Sequence, residues 1–144
     1  MAAVEKVTLV DTNVVVDVLT MDPIWYAWSA DALVQRGLAG PLFINEVVYA
    51  ELAVRAESEA KLNGALADLD VEIARTPISA LFMAGKAFQQ YRGRGGTRSG
   101  VLPDFFIGAH AFVAGFTLLT RDPQRFKTYF PDVDLITPDA DLAG

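Results

Sequence analysis

Four carboxylates stand beside apolar runs in positions that could bring them together: Asp11, Glu51, Asp104 and Asp122. The chain has no cysteine and one histidine, His110. A thiolate metal site, a cysteine nucleophile and a disulfide framework are therefore excluded. Carboxylates held a few ångströms apart repel one another, which raises the cost of ionising them. A hard divalent cation with all-oxygen ligands relieves that repulsion, and acids without His or Cys suit Mg²⁺ or Mn²⁺.

Each acid also has a plainer reading, set by the element that carries it. Val7-Thr8-Leu9-Val10 reads as a strand buried on both faces, and Asp11 follows at its carboxyl end, where open α/β sheets bind ligands. Asp11 is equally suited to cap the helix that follows. Asn45 caps a helix running from Glu46 to about Glu57. Glu46 in its first turn is explained by the helix dipole. Glu51 has Val47, Val48, Val54 and Arg55 as same-face neighbours, so it leans toward the core and needs either Arg55 or a cation as partner. Leu102-Pro103-Asp104 opens a helix apolar nearly all round (Phe105, Phe106, Ile107, Ala109, Ala111, Phe112, Val113, Ala114), with Asp104 in the first turn. Phe116–Thr120 reads as a buried strand ending in Arg121-Asp122-Pro123. Asp22-Pro23 shows that Asp-Pro can serve simply to start a helix, so Asp122 has that reading too. His110 lies about 240° around its helix from Asp104 and is read as a packing residue.

The remaining elements follow from the same patterns. Residues 13–20 form a short helix, and Asp22 caps one that runs from Pro23 to about Arg36 and is ended by Gly37 and Gly40. Pro41–Ile44 is a strand, 58–68 a helix, and Val71–Ala74 a strand. A helix from Pro77 to about Tyr91 turns Leu81, Phe82, Ala84, Phe88 and Tyr91 inward. Residues 92–100 should be a mobile surface loop, Gln124–Tyr129 a short helix and Val133–Ile136 a last strand. Strands alternating with helices imply an α/β fold: a three-layer α/β/α sandwich around a central parallel sheet of about five strands. One domain, 1–144, is expected, with its core at about 7–136 and a loose polar tail from Thr137.

The composition fits a globular chain, 52% hydrophobic and 21% charged over 144 residues. A net charge of −6 argues against broad, non-specific nucleic-acid binding. Yet no acid occurs from Ile73 to Pro103, while Arg75, Lys86, Arg92, Arg94 and Arg98 do. No apolar run approaches the ~20 residues of a membrane span. Glu5 and Lys6 lead directly into a strand, so no secretory leader is expected and a cytoplasmic setting is. Trp25, Trp28, Val54 and Leu62 add more apolar surface than one core needs, which predicts a homodimer.

Taken together, Val10-Asp11-Thr12-Asn13, Val48-Tyr49-Ala50-Glu51-Leu52, Leu102-Pro103-Asp104 and Leu119-Thr120-Arg121-Asp122 with Phe126 resemble a PIN-domain ribonuclease. More narrowly, they resemble the VapC toxin of a VapBC-type bacterial toxin–antitoxin pair. The resemblance covers about residues 7–136. It implies sheet order 3-2-1-4-5, Mg²⁺- or Mn²⁺-dependent cleavage of RNA, homodimerisation and inhibition by a small antitoxin. It places the acidic quartet, as catalytic residues and metal ligands, on Asp11, Glu51, Asp104 and Asp122, with Thr12, Asn13 and Thr120 as supporting polar residues. The Gly/Arg-rich segment 92–100 is longer and more basic than the family pattern, and Arg92, Arg94 and Arg98 are expected to meet RNA phosphates. Two alternatives remain open. A haloacid-dehalogenase-like phosphatase would want an acid two residues after the first, where Asn13 stands. A non-catalytic binding module would use the acids only as caps.

Overall fold

Thr8–Val10 (β1) is completely buried, as a continuous apolar run in the middle of a sheet must be. It pairs in parallel with Leu42–Ile44 (β2) on one side and Thr117–Leu119 (β4) on the other. Val71–Ile73 (β3) adds outside β2, and Leu135–Ile136 (β5) outside β4. The order is therefore β3-β2-β1-β4-β5, parallel throughout, as the resemblance implies. Helices flank this sheet. The computed structural model describes residues 6–97 and 101–138. The tail beyond Pro138 and Arg98 lie outside the described residues.

The connecting helices are Thr12–Leu19 (α1), Tyr26–Ala39 (α2), Glu46–Arg55 (α3), Glu59–Asp68 (α4), Ile78–Gly93 (α5), Leu102–Ala114 (α6) and Gln124–Tyr129 (α7). The Asn45 side chain caps α3 by accepting from the Val48 N–H at 3.0 Å, as its position predicts. Its amide also donates to His110 Nδ1 at 3.2 Å, so the only histidine is a satisfied core residue. Burial pushes His110 below its ordinary pKa, against the opposing charge of Glu46. α6 packs on α5, α3 and α7. Its Gly108 leaves no room for a side chain, because the Phe130 ring lies where a Cβ would project.

Several expectations need correction. α2 begins three residues later than Pro23, because Asp22 instead closes a turn by accepting from the N–H groups of Ile24 and Trp25. Gly37 does not stop that helix; Gly40 does. The inner face of α5 is Ala80, Ala84 and Ala87, with Phe88 and Tyr91 partly buried, while Leu81 and Phe82 are exposed. Small residues let α5 approach α6 closely, and that approach turns the larger side chains outward. α5 also continues through Arg92 to Gly93, so the expected loop starts later. Phe112 and Val113 at the end of α6 are exposed. Leu62 is buried in the core and contributes nothing to a surface patch, and Trp25 and Trp28 are only half-exposed. Val54 is exposed as expected, joined by Ile24, Val34 and Leu38 on or beside α2. No helix among the described residues is long and apolar enough to cross a membrane.

Candidate active site

All four acids line one cleft of about 700 Å³. Thr12, Asn13, Arg55, Tyr91, Arg121 and Arg125 are among its other walls. The sheet explains the convergence. β1 and β4 are neighbours in parallel register, Val10 opposite Leu119, so the residues that follow them emerge side by side. The Asp11 N–H extends the ladder to the Leu119 carbonyl at 2.9 Å.

Asp11 is 5% exposed and accepts two hydrogen bonds. Its Oδ1 takes the Thr12 N–H at 2.8 Å, so the capping role is real. Its Oδ2 takes the Thr120 hydroxyl at 2.8 Å. The same Thr120 oxygen accepts the Asp122 N–H at 3.0 Å. Burial pushes Asp11 up from 3.8 to about 7; the Thr120 and Thr12 hydrogen bonds oppose this, and the charges of Asp104 and Glu51 reinforce it.

Glu51 is half-buried, and its Oε1 accepts the Thr12 hydroxyl at 2.6 Å. Among the described residues Arg55 makes no ion pair with it, so the pairing that periodicity allowed is not the one formed. Asp104 enters from the first turn of α6 and meets Arg125 Nη1 at 2.6 Å. Asp122 is exposed, and α7 has no side-chain cap, so the helix-starting reading of Asp122 fails. Asn13 Oδ1 is buried in the wall with no hydrogen-bond partner among the described residues.

The arrangement is an acidic centre edged by guanidiniums. No three of its acids stand close enough, as placed among the described residues, to form a ready-made metal cage. Thr12 and Arg125 occupy oxygens of Glu51 and Asp104 that a cation would use.

Three features went unread in the sequence. Asp17 is 1% exposed and holds Arg121 through Nε at 2.8 Å and Nη2 at 3.1 Å. The Arg121 guanidinium lies 5.4 Å from the Trp25 ring. Arg125 pairs with Asp104. The first was detectable: Asp17 sits in the apolar helix Val14–Leu19, where an acid needs a partner. Of the loop arginines, Arg94 lies 5.5 Å from the Tyr129 ring at the cleft, whereas Arg92 lies over Phe88 of its own helix at 5.9 Å.

The comparisons with known proteins agree with this fold. No curated protein matches the sequence significantly. Among solved structures, a chain of the VapBC2 complex of Rickettsia felis, bound to a DNA fragment from its promoter, is similar with a TM-score of 0.66 at 20% identity, covering 91% of this chain and 98% of that one. A toxin–antitoxin complex from Klebsiella pneumoniae gives 0.66 at 22% identity, over 91% and 97%. VapBC-1 from nontypeable Haemophilus influenzae gives 0.67 at 18%, over 91% and 97%. The PIN-domain family model matches residues 8–130, a span that includes β1 through α7 and all four acids of the cleft. The chain belongs to the PIN-domain family.

Proposed function

We propose that this protein is a divalent-metal-dependent endoribonuclease, acting in the cytoplasm as the VapC-type toxin of a bacterial toxin–antitoxin pair. The observation that carries the reading is the meeting of Asp11, Glu51, Asp104 and Asp122 in one cleft, with Asp11 held near 7 by burial and by its acidic neighbours. A buried carboxylate facing two more acids is stabilised by a cation. The donor set is all oxygen, which fits Mg²⁺ or Mn²⁺. The four acids would hold the ion, with Thr12, Thr120 and Asn13 orienting them.

When bound, such an ion supplies a water of lowered pKa and Lewis-acid stabilisation of phosphate oxygens. The chain's own residues prepare the site for that chemistry. Thr120 fixes Asp11 against β4, and Thr12 fixes Glu51 against α1. Arg125 pairs with Asp104 and would have to give up that contact for Asp104 to hold an ion. Arg94, beside the cleft, would meet a flanking phosphate, and the same role is proposed for Arg92 and Arg98. No cysteine or histidine nucleophile is needed, which fits a chain with a single, buried histidine. PIN membership argues against the phosphatase reading, and the cleavage test below separates the nuclease from a non-catalytic module.

The relatives with similar folds occur in toxin–antitoxin complexes. By that likeness, a small cognate antitoxin lays apolar residues in the groove lined by Val18, Tyr26, Leu33, Val34 and Leu38, and two copies of the chain form a homodimer. The test is cleavage of total cellular RNA with Mg²⁺, with EDTA, and with an Asp104→Asn variant. Cleavage should require both the metal and the acid. RNA cut equally in EDTA, or by the folded variant, overturns the reading.

A further inference from the structure

Arg121 stands between Thr120, which holds Asp11, and Asp122, yet the acidic quartet does not need it. Its side chain is 26% exposed, whereas its partner Asp17 is 1% exposed. Three groups determine where it lies. Asp17 binds it in two-point fashion through Nε and Nη2, its Cζ lies 5.4 Å from the Trp25 ring centroid, and the Ser29 hydroxyl donates to Asp17 Oδ2 at 2.8 Å. Asp17 and Ser29 are buried residues of α1 and α2, so the anchor belongs to the core. The Asp17 hydrogen bonds also hold Arg121 above the ordinary arginine pKa, against partial burial.

A buried ion pair is a weak source of stability, because desolvating both charges offsets their attraction. What this one achieves is geometric. Asp17 takes the Nε side of the guanidinium. Nη1 has no hydrogen-bond acceptor among the described residues, and Arg121 lines the same cleft as the four acids. A planar fork held from behind presents its front edge to a bidentate anion at little further entropic cost. The acids of the cleft would repel a polyanion, so a preset donor beside them is where a phosphate can enter.

Resting on the nuclease reading above, we infer that Arg121 is a phosphate-binding residue for the RNA strand and that Asp17 is its positioning residue. The pair makes an unusual demand of electrostatics. Removing Asp17 makes an acidic protein less negative, which by bulk charge alone strengthens RNA binding. If Asp17 positions Arg121, binding weakens instead.

The probe is a short fluorescein-labelled 2′-O-methyl RNA of mixed sequence, which carries the phosphates concerned, and a denaturing gel confirms that it stays intact through each titration. Its affinity for the full chain is followed by anisotropy with Mg²⁺ across a salt series. Circular dichroism checks the fold of each variant. Asp17→Asn should bind several-fold more weakly than the parent. Arg121→Lys, which keeps the charge but loses the fork, should also weaken binding while keeping the salt slope. The double variant Asp17→Asn/Arg121→Gln removes both charges of the buried pair and so protects the fold. It should bind roughly tenfold more weakly, with a slope flattened by roughly 0.7. Parental or tighter binding by folded Asp17→Asn, or parental affinity and slope in the double variant, overturns the inference. If the parent cleaves RNA while these variants bind as it does, only this inference falls. If the parent neither binds nor cleaves, the nuclease reading falls with it.

Discussion

The Thr120 hydroxyl donates to Asp11 Oδ2 at 2.8 Å and accepts the Asp122 N–H at 3.0 Å. One side chain thus joins the ends of two neighbouring strands and fixes two acids of the cleft. Thr120 is fully buried, so its loss cannot be made good by bulk water. Thr120→Val keeps the shape and removes the donor. It should cost about 1–3 kcal/mol near pH 8, where Asp11 is charged, and less near pH 5, where it is protonated. Urea unfolding at the two pH values measures the difference; equal costs would separate Thr120 from the Asp11 charge.

Asp11 itself gives a pH dependence of unusual sign. Its folded pKa, about 7, lies above the ordinary 3.8. Between those values the folded state binds a proton that the unfolded state does not, so this group's contribution falls as pH rises. The penalty is absent below about pH 4 and complete above about pH 7, and it amounts to a few kcal/mol. Asp11→Asn should therefore stabilise the metal-free protein near pH 8 and change it little near pH 4, while abolishing RNA cleavage. A stabilisation that does not grow with pH would mean that Asp11 is not burdened by its charge.

Divalent metal should act in the opposite direction. Loading the cleft requires Asp11 to be deprotonated, so Mg²⁺ should raise the melting temperature more near pH 8 than near pH 5. EDTA should reverse the rise. An identical Mg²⁺ increment in the Asp11→Asn/Asp104→Asn double variant would place the ion elsewhere.

If the cleft binds a cation, Arg125 would compete with it for Asp104. The Arg125–Asp104 contact at 2.6 Å is partly exposed, so breaking it costs at most about 1 kcal/mol. Arg125→Gln should tighten Mg²⁺ binding by up to about fivefold, read by titration calorimetry. Weaker binding in this variant would show that Arg125 supports the loaded site instead.

Glu46 is the control among the acids. Its carboxylate accepts from the Thr76 N–H and hydroxyl at 2.9 and 2.7 Å, tying α3 to the segment after β3, away from the cleft lining. Glu46→Gln should leave cleavage at the parental rate and soften only that local tie. A cleavage defect in the folded variant would show that the acidic set had been drawn wrongly.

The local pattern of the chain determined a good deal. A continuous apolar run had to become the central strand, and the acid after it had to emerge at the sheet's carboxyl edge. Asn45 before Glu46 had to cap a helix. Strands alternating with helices had to pair in parallel. These outcomes rest on interactions within a few residues or on the period of burial, and sequence carries both. It also marked Asp11, Asp104 and Asp122, which stand at the ends of such elements, and Glu51 within α3 by its apolar neighbours; the resemblance to the PIN family then grouped the four.

Tertiary structure decided which groups those acids meet. Glu51 had Arg55 four residues away but bonds to Thr12 across 39 positions, and Arg121 reaches Asp17 across 104. Periodicity shows that a helix has an apolar face without showing what packs on it. Phe82 therefore turned outward where Ala80 and Ala84 let α6 approach, and Leu62 turned into the core. A side chain's partner depends on distances between elements far apart in the chain, and those distances exist only once the sheet has assembled.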